Sequence, residues 1–188
     1  MKRGLIVSVI IAVIIIGIVF ILFSSKQNTS ENTEIGKETF GEVINQVILD
    51  TELKDIATGK NFRISDFSDK PVLLESFAIW CPTCTAQQKV TKKFHEEVGD
   101  SVISISIDTD PNEDESRVLE HIEKNGFNWY YAISPVELTK SLIDQFGVGI
   151  VNAPSVPMLL ICGDKATMLD SGIKSVSELK KEVERCNG

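Results

Sequence analysis

The stretch Pro71-Val72-Leu73-Leu74-Glu75-Ser76-Phe77-Ala78 leaves this chain the least freedom. A mostly apolar run of this length, led by Pro, has the pattern of a strand buried on both faces of a sheet, and such strands belong to sheets covered by helices. From Pro82 to about Val98 no further Pro or Gly interrupts the chain, and Val90, Phe94 and Val98 recur at a helical step of four before Gly99 stops the helix. Ser101 to Asp108 then alternates apolar and polar residues, the period of a strand. Strand, helix and strand in this order imply a right-handed parallel crossover, and the class is α/β.

The rest of the chain continues the alternation. Thr58-Gly59-Lys60-Asn61 reads as a tight turn before a short strand Phe62-Arg63-Ile64, and together with the mixed stretch from Phe40 to Leu53 suggests a hairpin leading into the domain. Asp110 to Asp114 opens a helix through about Lys124, and Trp129 to Ile133 makes another strand. Pro135 starts a helix with Leu138, Leu142, Ile143 and Phe146 on one side, closed by Gly147. Two strands, Met158 to Cys162 and Thr167 to Asp170, meet at Gly163-Asp164-Lys165, and a last helix runs from Val176 to Cys186.

The N-terminus is of another kind. Gly4 to Phe23 holds twenty residues without a charge, about the length of helix that crosses ~30 Å of hydrocarbon. Lys2 and Arg3 precede it, so the remainder is expected outside the cytoplasm, the N-terminus inside, with residues 1–25 as a single-pass signal anchor. A cleaved signal peptide is the rival, although the run is longer than such apolar regions and lacks an A-x-A-like end; a buried core helix would show a polar face. Residues 26–39 are too polar to order themselves and read as a flexible tether to a domain over 40–188. With 19 basic and 27 acidic side chains the net charge of −8 repels phosphate backbones, which excludes nucleic acid as an expected partner.

Trp80-Cys81-Pro82-Thr83-Cys84 sits where the buried strand gives way to the helix. Two residues between cysteines at a helix start bring both sulfurs within bridging reach, and the unsatisfied amides stabilise a thiolate on the first. Cys81 is then the exposed nucleophile and Cys84 the shielded, resolving thiol, while Pro82 at the first helical position costs no hydrogen bond. Half of a zinc site is the alternative, but Cys162, Cys186, His95 and His121 supply no second ligand pair of matching spacing, and no metal or other cofactor is expected. A purely structural disulfide would leave the Trp, the Pro and the helix start without purpose.

Lys70 through Cys84 resembles the core of the thioredoxin superfamily, in its TlpA-like branch. Asp55 to Phe67 is similar to that branch's leading hairpin, and Ser104 to Asp108 and Gln145-Phe146-Gly147-Val148 match in order, so about Leu53 to Val183 is covered. The resemblance implies a thioredoxin-like fold, a central mixed β-sheet flanked by helices, here with an N-terminal transmembrane helix. W-C-P-T-C is most similar to the membrane-anchored thiol reductases of cytochrome c maturation, which implies a reducing role.

Further residues carry over by resemblance. A cis-proline faces the cysteines in the family, and Val156-Pro157 ahead of Met158 fits its place, with Pro154 as the rival. Its exposed backbone would pair with a substrate strand, so Val156, Trp80, Pro82 and Thr83 are the expected substrate-binding residues beside catalytic Cys81, Cys84, Glu75 and Pro157. Glu75 aligns with a buried acid that moves protons to and from the resolving cysteine; the bland alternative is a solvated carboxyl at the sheet edge. The family's topology would bring Cys162 and Cys186 to one pole as a structural disulfide, the alternative being two free thiols.

The expected activity is thiol-disulfide exchange with extracytoplasmic protein thiols and disulfides, with a membrane partner resetting the cysteine pair. Disulfide donation uses the same residues, and potential decides direction. Peroxidase chemistry would want a Thr three residues before the cysteine, where Ala78 stands. Copper handling in this superfamily wants wider cysteine spacing and a later His, and none follows His121.

Overall fold

The computed structural model describes residues 40–187. The expected signal anchor at 1–25 and tether at 26–39 lie outside the described residues. Among those described, no helix is long and apolar enough to cross a membrane.

Among the described residues eight strands and five helices follow one another as β1 (Glu42–Val43), α1 (Gln46–Asp50), β2 (Leu53–Lys54), β3 (Asn61–Phe62), β4 (Val72–Phe77), α2 (Pro82–Val98), β5 (Ile103–Asp108), α3 (Glu115–Asn125), β6 (Tyr130–Ile133), α4 (Val136–Phe146), β7 (Met158–Cys162), β8 (Lys165–Met168) and α5 (Val176–Glu184). β2 and β3 form the expected hairpin, but Ile64 opens a 3-10 turn over Ile64–Phe67 instead of extending the strand. There the Asp66 carboxylate caps the Arg63 N–H at 2.7 Å, a local bond that competes with strand pairing. The six-stranded sheet has the order β1-β8-β7-β4-β5-β6. β5 runs parallel to β4 and β6, while β7 runs antiparallel to β4 and β8, which makes the sheet mixed.

β4 lies in the middle of this sheet, buried at all six positions. Its side chains alternate between two helical layers. Val72 and Leu74 join Ile105, Ile107, Leu159, Leu138 and Leu142 in the core against α4. Leu73 packs with Phe94, Leu160 and Leu179 beneath α2 and α5, and Phe77 packs with Val118, Ile122 and Tyr131 beneath α3. β5 alternates in step: its isoleucines face α4, and Ser104, Ser106 and Asp108 fall opposite Leu73, Glu75 and Phe77 on the α2 side. The sequence pattern of β5 is therefore not that of a strand with a wet face, because these polar side chains are buried as well.

β1 and α1, absent from the sequence reading, complete the α4 side. Gly41 has φ +57° and carries the backbone against Ala166, where a Cβ would collide, so only glycine lets β1 join β8. Asn45 caps α1 by accepting from Val47 N at 2.9 Å, and α1 buries Ile48 and Leu49.

Cys162 and Cys186 are bonded, with Cα atoms 5.4 Å apart, tying the end of β7 to the turn that follows α5. The cross-link closes a loop of 24 residues, worth about 3 kcal/mol through the entropy of the unfolded chain. Replacing both cysteines by Ser should therefore lower the urea-unfolding free energy of the oxidised protein by about 3 kcal/mol. An unchanged midpoint would show that the bond adds nothing to stability.

Candidate active site

Six buried residues of β4 end at Phe77, and after four intervening residues α2 begins at Pro82. Cys81 is the N-cap of α2: its backbone is extended, at φ −86° and ψ 107°, and its Sγ accepts from Cys84 N at 3.1 Å. Pro82 takes the first helical position, where its missing N–H costs nothing. Cys81 and Cys84 are bonded to each other with Cα atoms 5.4 Å apart. A thiolate formed at Cys81 on reduction would keep the Cys84 amide as donor and face the positive end of a 17-residue helix, two effects that lower a thiol pKa.

The loop that delivers the cysteines is clamped by the segment between β5 and α3. Thr109 N donates to Phe77 O at 3.1 Å, Ile79 N to Glu113 Oε2 at 2.7 Å, and Trp80 Nε1 to Asp110 Oδ2 at 2.6 Å. The Trp80 ring remains 58% exposed beside the cysteines. A surface cleft of 290 Å³ runs from Trp80 to Val151, Asn152 and Pro154.

Cys81, expected to be exposed, is 0% exposed in the disulfide form. It joins a buried cluster with Ala78, Phe77 and Ala153, and the 3-10 turn Ala153–Ser155 lies against the start of α2. The Ala153 carbonyl stands 3.1 Å from Cys84 Sγ, ready to accept from the thiol once the disulfide is reduced. Thr83 Oγ1 donates to Pro154 O at 3.1 Å and lies 3.2 Å from Cys81 Sγ. Thr83 and Pro82 are exposed.

Val156 and Pro157 are arranged differently from expectation. No cis peptide occurs among the described residues, so neither Pro157 nor Pro154 is cis. The chain reverses instead through a left-handed Val156, φ 53° and ψ 56°, whose N–H donates to Ala153 O at 2.8 Å. This conformation is costly for a β-branched residue, and the surrounding bonds hold it. Val156 is 0% exposed, and its carbonyl accepts from Lys174 Nζ at 2.7 Å, so neither of its backbone groups is open to a substrate strand. Pro157 is buried, and its carbonyl accepts from Ser76 N at 3.3 Å.

Glu75 is not solvated at an edge: it is 3% exposed in the central strand. Register places Met158, Glu75, Ser106 and Tyr131 in one row across β7, β4, β5 and β6. Ser106 Oγ donates to Glu75 Oε2 at 3.2 Å and accepts from Trp129 Nε1 at 3.0 Å. Burial pushes the Glu75 carboxyl up to about 8 against the pull of Ser106, Lys174 and Gln88. Lys174, buried beside it, is lowered by the same desolvation, and its backbone N–H donates to Gln87 Oε1 at 2.7 Å.

Sequence reasoning missed a second acid. Asp108, at the end of β5, is 1% exposed and is raised to about 8 by burial and by the neighbouring Glu113 carboxyl. Its alternating pattern with the β5 serines was the available signal. Among the described residues no three His, Cys, Asp or Glu side chains converge as a metal ion would require.

The redoxin family model matches residues 44–161. No curated protein matches the chain. Among solved structures, a thioredoxin-family thiol:disulfide interchange protein of Chlorobium tepidum TLS is similar at 16% identity, with a TM-score of 0.64 over 80% of this chain and 99% of that one. A secreted disulfide oxidoreductase of Mycobacterium tuberculosis is similar at 19% identity and a TM-score of 0.56, covering 75% of this chain and 99% of its own. An exposed lipoprotein thioredoxin of Streptococcus pneumoniae is similar at 19% identity and 0.55, covering 72% and 98%. These likenesses establish the thioredoxin-like fold.

Glu75 and Asp108 keep their protons in the folded chain to a pH of about 8, whereas their ordinary values are 4.5 and 3.8. Between those limits the folded state binds more protons than the unfolded one, so stability falls as pH rises from about 4.5 to about 8. Urea-unfolding midpoints measured across this window should decline in the wild type and decline less in Glu75→Gln. Equal slopes in the two proteins would show that Glu75 ionises normally when folded.

Proposed function

The chain belongs to the redoxin family, and from that premise and the bonded Cys81–Cys84 pair we propose a thiol-disulfide oxidoreductase that reduces protein disulfides outside the cytoplasm, tethered to the membrane by Gly4–Phe23. One observation carries this reading: the first cysteine caps α2 with its sulfur on the Cys84 amide, the arrangement that stabilises a thiolate.

The Cys81 thiolate attacks a substrate disulfide; a mixed disulfide forms and one substrate sulfur leaves as a thiolate. Cys84 gives up its proton, attacks Cys81 Sγ, and releases the second substrate sulfur as the Cys81–Cys84 bond closes. Two electrons pass to the substrate, and the domain leaves oxidised. Glu75, in the strand feeding α2, takes up the Cys84 proton directly or through one water. Its raised pKa suits it to hold that proton near neutrality and return it. Because Cys81 is covered in the oxidised form, the Ala153–Ser155 turn must move aside for exchange, beginning with the Thr83 bond to Pro154. A membrane partner resets the pair. The reducing direction and the tie to cytochrome c maturation are supported by the resemblance of Trp80-Cys81-Pro82-Thr83-Cys84 to that group.

Cys84→Ser should accumulate a mixed disulfide with a protein substrate through Cys81, and Cys81→Ser should form none. Equilibration with glutathione should give a potential near thioredoxin's, about −270 mV; one near −120 mV would make the protein a disulfide donor. Glu75→Gln should slow resolution roughly a hundredfold at pH 8. If Cys81 and Cys84 never interconvert between thiol and disulfide in the glutathione buffer, the exchange function is lost.

A further inference from the structure

A cleft of 420 Å³ opens at the surface between α2 and α3, lined by Ile79, Thr85, Lys89, Arg117, His121 and Lys124 among others. Apart from Ile79, whose N–H anchors the cysteine loop on Glu113, none of these residues enters the site described above. His121 is only 7% exposed, and its Nε2 lies 2.7 Å from Gln88 Oε1. Gln88 is fully buried and stands one helical turn behind Cys84 on the same face of α2. Its Nε2 has no well-formed hydrogen bond among the described residues, and neither does Glu75 Oε1 across the interface. The two are close enough that the amide pulls the Glu75 pKa down against the rise caused by burial.

An amide has a donor end and an acceptor end, so its neighbours dictate which way it faces. With Glu75 ionised, Gln88 must turn Nε2 to the carboxylate and Oε1 to His121, which then has to carry its proton on Nε2. With Glu75 protonated, the carboxyl O–H needs an acceptor. Gln88 rotated by half a turn offers Oε1 to Glu75 and Nε2 to His121, whose own Nε2 must then be bare and its proton on Nδ1.

We propose that Gln88 and His121 are positioning residues for the Cys84 proton step: the Gln88 amide ties the protonation of Glu75 to the tautomer of His121, which faces a solvent-open cleft on the outside of the domain. The functional part rests on Glu75 as the acceptor of the Cys84 proton. As the Cys84 S–H bond breaks, an O–H bond forms on Glu75; Gln88 turns. On His121 one proton leaves Nε2 for cleft water and another arrives at Nδ1, so the imidazole stays neutral. Gln88 thereby presents a donor to Glu75 before the transfer and an acceptor after it.

Other groups face both ends. Ser106, Lys174 and Tyr131 surround Glu75. Glu113 and Lys124 act on His121 with opposite signs, and its ring stacks on Phe77 with centroids 5.9 Å apart. Burial holds His121 below its ordinary 6.5, so a neutral imidazole and a protonated Glu75 coexist over a window reaching to about 8. Asp108, raised by burial and by the neighbouring Glu113 carboxyl, also titrates near the upper limit and must be separated from Glu75.

The test is ¹⁵N NMR of the imidazoles in the full-length oxidised chain from pH 6.5 to 9, where neither bonded cysteine titrates. The His121 signals are identified by their loss in His121→Gln. The expected result is a change from the Nδ1–H to the Nε2–H tautomer around pH 8, retained in Asp108→Asn and abolished in Glu75→Gln and Gln88→Met. A constant tautomer in the wild type, or a change that persists in Gln88→Met, overturns the coupling. In exchange assays Gln88→Met should move the rate inflection set by Glu75 up by about one unit, while leaving the plateau rate above about pH 10.5 unaltered. A uniform loss at every pH would mark Gln88 as merely structural and overturn its positioning role. The two readings fail separately: a Glu75→Gln rate equal to wild type's removes Glu75 from the proton step, whereas the tautomer decides the coupling. Should Gln88→Met fail to fold, Glu75→Gln alone still decides whether His121 follows Glu75.

Discussion

Everything at this site depends on β4 being covered on both faces and ending abruptly. A central strand between β5 and β7 cannot drift, because a slip of one residue would exchange Leu73 and Glu75 for Leu74 and Ser76 between the two helical layers. Its C-terminal end is therefore a fixed platform from which Cys81 can cap α2. An N-cap bond is ordinarily worth about 1 kcal/mol to a helix. Here the acceptor is the sulfur that does the chemistry, so the same bond that starts the helix favours the thiolate.

The polar groups beneath α2 follow from the same register. Glu75, Ser106 and Tyr131 lie in one row, and Asp108 lies one step further along β5. Burying them is costly unless they find partners, and most do: Trp129 serves Ser106, Ser106 serves Glu75, and the Asp110 amide serves Asp108. The two carboxyls satisfy the remainder by holding protons, which raises both to about 8. A core that keeps acids neutral at ordinary pH is suited to a reaction in which a thiol must lose and regain a proton.

The disulfide form is closed. Ala153 and Pro154 rest on the cysteines, Val156 has both backbone groups occupied, and Lys174 reaches across from the loop before α5 to hold the Val156 carbonyl. These are few bonds over a short turn, with the exposed Trp80 ring beside it. With Cys81 fully covered, its sulfur is out of reach of another thiol until the turn moves aside.

How far this was legible in the residues follows from the range of each signal. β4, α2 and β5 were readable because burial on both faces, a four-residue apolar step and strict alternation are local patterns, and Cys81 and Cys84 could be placed at a helix mouth because spacing and position in the chain sufficed. β1 and α1 were not readable: two strand residues and five helical ones carry too little periodicity, and β1 exists only where Gly41 meets Ala166. Local pattern also could not show that Cys81 is covered, that Val156 makes the turn in left-handed conformation with trans prolines around it, or that Gln88, His121, Lys174 and Asp108 surround the acid. Those facts depend on which side chains from distant segments share a face of the sheet, and burial, hydrogen-bond partners and acidity are properties of that shared space. The amino-acid sequence by itself determined a redox-capable cysteine pair at the joint of a buried strand and a helix; only the tertiary structure decided what covers the pair and which acids are buried in the sheet beneath that helix.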